Sequence, residues 1–435
     1  MADDALDYLL DLPQFANVAD DAREPGLGNM RALLDEMGNP HEELRAVHVA
    51  GTNGKGSVCA MIAAIATAAG LRTGLHTSPH LTHVTQRMRI DGTPAPTDWL
   101  TNAIETHRSL FDRVAPSFFE LTVALTFLYF AEQNVDLAVV EVGLGGRLDS
   151  TNVLAPALSV ITTIDLDHTD LLGDTLGKIA REKAGIIKPK TPVLSGVTKN
   201  EARTAIAEVA TERDAPLHEL HDEVTWQPQR SDLTGSTIDA RTPLRTYNNL
   251  RVSVPGRHQQ ANAALALRAA ELVVPAVEDA SSPVYDGLTD VRGHTGFRGR
   301  MDVLQEEPLI VVDVAHNPPG IAAGLDTLAS SLDERGGTLY VCLNAVRGKG
   351  LPEVAELLAN RDAHVIPIPI DTKRALPPGE IADTLRIYGV HVLPARPIDE
   401  ALKDYQRHAQ PTDTLLLTGS HKMVEVLPNH LPPRR

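Results

Sequence analysis

Near-continuous apolar runs rich in β-branched residues constrain the fold of this chain more than any other feature. Three such runs lie in the first half of the chain, at residues 46–50, 135–143 and 158–164. Others recur from residue 308 onward, in the segments PLIVVDVA, TLYVCLN, HVIPIPI, VHVLPA and TLLLTGS, and helical patterns such as LPEVAELLAN separate them. Strands buried on both faces have this composition, and strands alternating with helices form parallel sheets. The sequence therefore predicts an α/β protein.

The chain length predicts more than one domain, because 435 residues exceed what a single hydrophobic core supports. The best boundary candidate is residues 281–300, where Gly, Pro and Ser are frequent. We predict a first domain at residues 1–290, a linker or hinge at 291–299 and a smaller, Rossmann-like α/β domain at 300–435. The polar block at residues 225–249 is expected to form hairpins or loops attached to the first domain.

The formal net charge of −17 argues against general nucleic-acid binding, which requires a basic surface. A well-hydrated acidic surface that aids solubility is the simplest interpretation, and adaptation to high salt is an open alternative. Such a surface repels anions, so a site for an anionic substrate must supply its own cations.

Targeting signals and cysteines favour a cytoplasmic protein. The N-terminal residues MADDALDYLL begin with acids and lack the basic start of a secretory signal. The longest apolar run, residues 121–130, is far shorter than the ~20 residues that span a bilayer, so it predicts a buried helix and no membrane segment. Cys59 and Cys342 are far apart in the chain and cannot form a disulfide framework or a zinc cluster.

A glycine-rich turn between a predicted strand and a predicted helix, in the segment VHVAGTNGKGSV, is the strongest functional signal. Its glycines leave room for backbone N–H groups to close on phosphate oxygens, and the helix N-terminus adds a positive dipole end. Lys55 would supply a charge for the β- and γ-phosphates, and Ser57 a hydroxyl for magnesium. The general P-loop has four residues between its first Gly and its Gly-Lys pair, whereas only two separate Gly51 from Gly54. A tight structural turn is therefore the alternative.

The string GTNGKGS resembles the phosphate loop of the Mur ligase superfamily, in particular its folylpolyglutamate synthase and dihydrofolate synthase branch. Further strings similar to that family follow in the same order: HTSPHL, RMRIDG, SFFELTVALTF, EVGLGGRLDSTNV, DHTDLLGDTLGKIAREKAGIIK, PGRHQQAN, the pair Gly299–Arg300 and DVAHNP. The resemblance is dense over roughly residues 25–320. Departures are Gln86 in place of a glutamate, Asp165 in place of a small residue, and Lys349 without its usual acidic neighbours.

This resemblance implies an N-terminal P-loop ATPase-like domain with a central, mostly parallel sheet, and an ATP-dependent ligase. ATP would phosphorylate the carboxylate of dihydropteroate or a reduced folate, and the amine of L-glutamate would displace phosphate from the acyl phosphate. We expect both dihydrofolate synthase and folylpolyglutamate synthase activity in a monomer. The alternatives are a folylpolyglutamate synthase only, a peptidoglycan amino acid ligase, which usually carries an extra N-terminal domain, or a noncatalytic nucleotide-binding module.

The resemblance also implies the site residues. Those expected to contact ATP are Gly51, Thr52, Asn53, Gly54, Lys55, Gly56, Ser57, Asn262, Arg300 and Asp313. Those expected at two magnesium sites, with potassium as a further candidate ion, are Ser57, Ser78, Glu141, His168 and Lys183, the last as a carbamate. Lys55, Glu141, His168 and Lys183 are the expected catalytic residues. The alternatives are a hydrated strand-end acid for Glu141, a structural histidine for His168, and ordinary salt bridges for Arg300 and Asp313.

For the acceptor, Asp149 in the loop GLGGRLDSTNV can accept hydrogen bonds from an aminopterin edge. Residues 26–30 are expected to complete the pocket together with a set of predicted substrate-binding residues: Gly28, Phe118, Phe119, Glu120, Arg147 and His316. The alternative for the Asp149 loop is a well-packed loop without a ligand contact.

Overall fold

The computed structural model describes residues 2–13, 27–372 and 374–425. These residues form two compact units, each with its own sheet. The first comprises the described parts of residues 1–227, 239–250 and 261–297, and the second those of residues 228–238, 251–260 and 298–435. Within the described ranges, no helix is both long enough and apolar enough to cross a bilayer.

The strands are β1 (Ala46–Ala50), β2 (Thr73–His76), β3 (Met88–Ile90), β4 (Thr93–Pro94), β5 (Leu137–Glu141), β6 (Leu158–Ile161), β7 (Val193–Ser195), β8 (Leu217–Glu219), β9 (Thr225–Asp232), β10 (Gly235–Arg241), β11 (Thr246–Val252), β12 (Asp302–Gln305), β13 (Leu309–Val312), β14 (Leu339–Leu343), β15 (His364–Pro367), β16 (His391–Val392) and β17 (Thr414–Thr418).

The helices are α1 (Ala2–Asp11), α2 (Gly28–Glu36), α3 (Lys55–Ala68), α4 (Thr97–Thr106), α5 (Arg108–Val114), α6 (Phe118–Glu132), α7 (Thr169–Leu172), α8 (Leu176–Ala184), α9 (Asn200–Glu212), α10 (Leu220–Glu223), α11 (Arg257–Val273), α12 (Pro275–Asp279), α13 (Ser282–Thr289), α14 (Val291–Thr295), α15 (Pro318–Arg335), α16 (Leu351–Ala359), α17 (Pro378–Ile387), α18 (Ile398–His408) and α19 (Lys422–Glu425).

The first unit contains an eight-stranded sheet of order β4-β3-β2-β5-β1-β6-β7-β8. Its strands are parallel except at the β3–β4 edge. The central strand β1 pairs with β5 and β6 in a register that aligns Val49 with Glu141 and Ala50 with Ile161. The carboxyl ends of these three strands therefore lie side by side, which is where open α/β sheets place their ligand sites.

Two long helices of the first unit are buried around most of their circumference. Helix α3 follows β1 directly, and its side chains from Gly56 to Ala66 are buried. Helix α6 contains the apolar run at residues 121–130, so the prediction of a buried helix there is confirmed. A helix that is apolar on all sides needs partners on all sides, and the core around α6 supplies them from α1, α2, α4 and the sheet.

The second unit contains a six-stranded sheet of order β12-β13-β17-β14-β15-β16. All its strand pairs are parallel except β12–β13. Strands β9 to β11 form a separate three-stranded sheet, so the polar block at residues 225–249 does contain hairpin strands. The expected attachment of this block to the first domain holds only in part, because residues 228–238 belong to the second unit and residues 239–250 to the first. The runs rich in β-branched residues that were predicted as strands all contain strands, so the predicted α/β class is confirmed.

Residues 281–300, the boundary candidate of the sequence, contain two helices, because α13 and α14 occupy most of this stretch. The proline of α13 lies in its first turn, where a missing N–H costs nothing. The Asp290 side chain accepts a hydrogen bond from the Gly293 N–H and caps α14. Turn-forming residues therefore act here as helix starts.

Candidate functional site

The phosphate loop joins β1 to α3 at the carboxyl edge of the first sheet. Its carbonyl oxygens accept hydrogen bonds from outside the loop: Asn53 O accepts from the hydroxyls of Thr162 (2.6 Å) and Thr163 (3.2 Å). Gly51 has φ 153°, and a Cβ there would lie 1.8 Å from Thr162 Oγ1. Only glycine fits at position 51. The first helical hydrogen bond of this segment runs from Val58 N–H to Gly54 O. The N–H groups of residues 55–57, in the first turn of α3, therefore have no acceptor within the helix and are oriented as an anion site requires.

Two predicted catalytic lysines converge on this loop. Lys55 Nζ donates to Gly51 O and to Thr52 O, both at 3.1 Å. Lys183 Nζ, from the last turn of α8, donates to the same Gly51 O at 2.8 Å and is buried. The sequence separated these residues by 128 positions, and the fold places both on one carbonyl oxygen.

The predicted first metal site is partly assembled in the same place. Glu141, the last residue of β5, is buried, and its Oε2 accepts a hydrogen bond from Ser78 N–H at 2.9 Å. A Cβ on Gly56 would lie 3.4 Å from the same oxygen, and Ser57 follows in the buried first turn of α3. Carboxylate and hydroxyl oxygens are donors that magnesium prefers, so a buried glutamate and two serines in this part of the fold fit the ion by residue type.

Among residues 2–13, 27–372 and 374–425, no three His, Cys, Asp or Glu side chains are grouped as a metal site. The predicted site does not require such a group, because it combines serine and a modified lysine with single acids.

His168 lies in the segment that follows β6 and has a left-handed conformation, φ 51°. It precedes α7, and its backbone N–H donates to Asp167 Oδ1 at 2.8 Å, with the ring Nε2 4.0 Å from the same oxygen. The side chain is partly exposed, so it remains accessible to a ligand.

Asp149 is fully enclosed by its own loop. Its carboxylate accepts hydrogen bonds from Leu144 N–H (2.8 Å), Thr151 N–H (3.0 Å) and the Thr151 hydroxyl. His48 Nε2 lies 2.8 Å from Thr151 Oγ1, and because that hydroxyl donates to Asp149, the histidine must donate to it. Burial raises the pKa of Asp149, and these hydrogen bonds oppose the rise. The carboxylate thus holds the loop together, and a contact with an aminopterin remains a prediction.

Several other residues predicted to bind the folate-type substrate make contacts within the protein. Glu120 Oε2 accepts from both the N–H and the hydroxyl of Ser117 at 2.8 Å, which forms a capping box at the start of α6. Phe118 is buried under the Arg87 guanidinium, 5.0 Å from the ring centroid, and Phe119 is also buried.

Arg147 is largely exposed and pairs with Glu182 at 3.0 Å. Gly28 is the first residue of α2, and Gly26 lies outside the described residues. Asn262 is buried, and its Oδ1 would lie 2.6 Å from a Cβ on Gly54, so this predicted nucleotide contact does lie beside the phosphate loop.

In the second unit, Asp313 follows β13 and its carboxylate accepts two backbone hydrogen bonds. Oδ1 accepts from Ala315 N–H (2.8 Å) and Oδ2 from Met301 N–H (3.1 Å). Arg300 donates to Gly299 O at 3.0 Å. Asp313 thus fixes the loop at the end of its strand, and the nucleotide contacts of both residues remain predictions.

His258, a residue that sequence reasoning missed, shares the electrostatic environment of these two residues. Burial lowers its pKa, the negative charge of Asp313 opposes that change, and Arg300 reinforces it. His316 lies close by in sequence to Asp313, with its Nδ1 3.4 Å from Val314 O. His258 lies in the string PGRHQQAN, but no sequence pattern indicates that this string lies near Asp313, at the end of β13.

Residues 49–270 match the Mur ligase middle domain, and residues 299–421 match the glutamate ligase domain of Mur ligases. The chain is 38% identical over 319 residues to the dihydrofolate synthase/folylpolyglutamate synthase of Bacillus subtilis (strain 168), with 72% of this chain and 73% of that protein covered. The chain belongs to the Mur ligase family, in its dihydrofolate synthase/folylpolyglutamate synthase branch. The resemblance predicted from the motifs is confirmed.

Solved structures of Mur ligases are similar to this protein over nearly its whole length. Mycobacterium tuberculosis folylpolyglutamate synthase complexed with ADP matches with a TM-score of 0.86 and 28% identity, over 98% of this chain and 96% of that one. The Escherichia coli FolC protein in complex with DHPP and ADP matches with a TM-score of 0.82 and 27% identity, over 98% and 96%.

Two departures of this Mur ligase from the family pattern have clear partners. Gln86 Oε1 accepts from the N–H groups of Leu81 (2.9 Å) and Thr82 (3.0 Å), a role that needs only an acceptor oxygen. Asp165 pairs with Lys199, and its own N–H donates to the Thr52 hydroxyl of the phosphate loop at 3.1 Å.

Proposed function

We propose that this protein is an ATP-dependent ligase that joins L-glutamate to the carboxylate of dihydropteroate and of reduced folates, and so has both dihydrofolate synthase and folylpolyglutamate synthase activity. The observation that carries the proposal is the convergence of Lys55 and Lys183 on Gly51 O, in a loop whose next turn lies beside Glu141. The names of the relatives support both activities, and the complexes with ADP and DHPP support the ligand classes.

The chemistry requires activation of a carboxylate, which resists nucleophilic attack because it is negative and resonance-stabilised. The carboxylate oxygen attacks the γ-phosphorus of ATP, ADP leaves, and an acyl phosphate forms. The uncharged amine of glutamate then attacks the acyl carbon, the acyl–oxygen bond breaks, phosphate leaves, and the amine loses a proton as the amide forms. Phosphoryl transfer depends mainly on positioning and charge neutralisation. Lys55 now donates to neutral carbonyl oxygens, and phosphate oxygens are stronger acceptors for the same ammonium.

Ser57, Ser78 and Glu141 would hold a first magnesium ion, which when bound neutralises charge on the phosphates. His168 and a carbamylated Lys183 would hold a second ion, and potassium is a candidate for an additional one.

The geometry supports carbamylation of Lys183. Because Lys55 Nζ and Lys183 Nζ lie 3.1 and 2.8 Å from the same oxygen, the two nitrogens are at most about 6 Å apart, and two ammonium groups there would repel by at least roughly 3 kcal/mol at an effective dielectric constant of ~20. A carbamate replaces that repulsion with attraction and supplies oxygen ligands. Crystallographic density at Lys183 in bicarbonate-equilibrated, magnesium-loaded protein tests this, and an unmodified amine there would disprove it.

We also propose that Asn262, Arg300 and Asp313 contact the nucleotide, that Asp149 lies near the pterin, and that residues 300–435 form a glutamate ligase domain. The match of residues 299–421 to that domain supports the last point. A monomeric, cytoplasmic enzyme completes the proposal.

The test offers dihydropteroate and tetrahydrofolate separately, each with ATP, magnesium and L-glutamate, and measures products by mass. We expect a mass increase of one glutamyl residue with either acceptor and phosphate release only when all substrates are present. Product from tetrahydrofolate alone would support the narrower alternative, a folylpolyglutamate synthase only. Phosphate release that ignores both acceptor and glutamate would contradict the ligase assignment.

A further inference from the structure

We infer that Thr162 and Thr163 are positioning residues that set the shape of the phosphate loop for nucleotide binding, an inference that rests on the proposed function. They directly follow β6, in the apolar run LSVITTI. In the sequence they look like ordinary β-branched strand residues. Their hydroxyls converge instead on a single backbone oxygen, Asn53 O, at 2.6 and 3.2 Å.

The two threonines hold the loop through further bonds. Thr163 Oγ1 also accepts from Asn53 N–H at 3.1 Å, and Thr163 O accepts from Thr52 N–H at 2.7 Å. Thr163 therefore forms hydrogen bonds with three backbone groups of the loop: Thr52 N–H, Asn53 N–H and Asn53 O. Thr162 is buried, and its hydroxyl occupies the space that a side chain at Gly51 would need.

These bonds matter because an anion site needs carbonyl oxygens turned away from it. A carbonyl oxygen that faced a phosphate would repel it, and a buried one without a donor would be costly. Lys55, which donates to Gly51 O and Thr52 O, carries a positive charge that is expected to interact with the phosphates once a nucleotide binds. The threonine hydroxyls are neutral donors that remain at Asn53 O when a nucleotide arrives, so they supply the permanent part of the loop's support.

The test measures ADP binding by calorimetry with magnesium, together with kcat and KM for ATP and the thermal midpoint. Thr163→Val keeps the shape of the side chain and removes its hydroxyl, and we expect the Kd for ADP to rise about tenfold. KM for ATP should rise by a similar factor while kcat at saturating ATP changes less. Thr163→Ser restores the hydroxyl and should bind ADP within about threefold of wild type.

Thr162→Ala and Thr162→Ser form a second pair, in which only the alanine variant should bind ADP weakly. The matched control is Thr126→Val, because the buried Thr126 hydroxyl likewise donates to a backbone oxygen, Thr122 O, at 2.7 Å in α6. A loss of ADP affinity in that control equal to the loss in Thr163→Val would show a general stability effect and overturn the inference.

The failure of this inference is distinguishable from failure of the proposed function. Wild-type protein that binds no ADP would overturn both. Wild-type protein that binds ADP, with Thr163→Val and Thr162→Ala binding it equally well, would overturn only the positioning role.

Discussion

Gly146→Ala should both destabilise the first unit and impair the site, because two backbone segments meet at this residue. A Cβ at Gly146 would lie 2.7 Å from Glu182 O, 2.8 Å from Lys183 O and 3.0 Å from Lys183 Cα. The Arg147 N–H donates to Glu182 O at 2.8 Å, so the contact is also hydrogen-bonded. The loop after β5 and the last turn of α8 are thus packed backbone against backbone.

The magnitude follows from the rigidity of the atoms involved. Ordinary carbon–oxygen contacts need more than 3 Å, so the last turn of α8 must move by roughly 0.5 Å, and overpacking of this kind costs about 1–3 kcal/mol. We expect the upper half of that range, because backbone atoms cannot rotate away as side-chain atoms do. At about 2–4 °C per kcal/mol for a unit of this size, the thermal midpoint should fall by about 5–10 °C.

Activity should fall as well, since Lys183 is in the displaced turn and its Nζ lies 2.8 Å from Gly51 O. A misplacement of ~1 Å costs up to a hundredfold in rate, so we expect kcat to fall about tenfold. Gly185→Ala probes the same contact from the other side, because its Cβ would lie 2.4 Å from Arg147 Cβ. The double variant should lose less than the sum of the two single losses.

Thermal melting and steady-state ligation assays measure both effects, with Gly379→Ala as the control. Gly379 lies in the first turn of α17, and a Cβ there would meet no atom within 4 Å. That variant should melt at or slightly above the wild-type temperature. A Gly146→Ala protein that melts within 1–2 °C of wild type and keeps its kcat would refute the packing argument.

Three further predictions concern stability. Glu120→Ala removes the capping box with Ser117 and should cost about 1 kcal/mol in urea unfolding; a tenfold rise in KM for the folate at unchanged stability would instead assign Glu120 to the substrate. Burial lowers the pKa of His48 and of His76 to about 3, so each takes up a proton on unfolding below its usual value of about 6.5. Stability should therefore fall as pH falls from about 6.5 toward 3, by up to ~1.4 kcal/mol per pH unit per histidine, and a urea midpoint constant between pH 6.5 and 5 would contradict this. The net charge of −17 predicts a higher thermal midpoint in 1 M than in 0.01 M salt, because the Debye length shrinks from about 30 to 3 Å; an unchanged midpoint would refute it.

The sequence predicted the elements that one physical rule determines. Strand β1 was predicted with its bounds unchanged, because burial on both faces allows few residue types there. The link from β1 through glycines to Lys55 also followed from local chemistry. The two helices within residues 281–300 were not predicted, because proline and aspartate start helices as well as turns.

The rest of the site depends on contacts between distant segments, which no local pattern encodes. Glu120 was predicted to bind substrate because it lies in a family motif. The structure shows that its carboxylate completes a capping box with Ser117, three residues earlier. Thr163 and His258 gave no signal, since a threonine in a strand and a histidine in a helix are ordinary. Their significance depends on a neighbour about 110 residues away for Thr163 and about 55 for His258.

The length of the phosphate loop explains why its support comes from so far away. A loop with two residues between Gly51 and Gly54 has few groups of its own that can turn back and satisfy its carbonyl oxygens. Here the donors come from the end of β6, through Thr163 and its neighbour, and from the end of α8, through Lys183. The register of the central sheet sets the end of β6 beside the end of β1, while α8 is held by the close contact at Gly146. A short loop is therefore compatible with phosphate binding only because parallel strands bring these distant donors to its edge, and lengthening it by two residues should weaken nucleotide binding even if every catalytic side chain is kept.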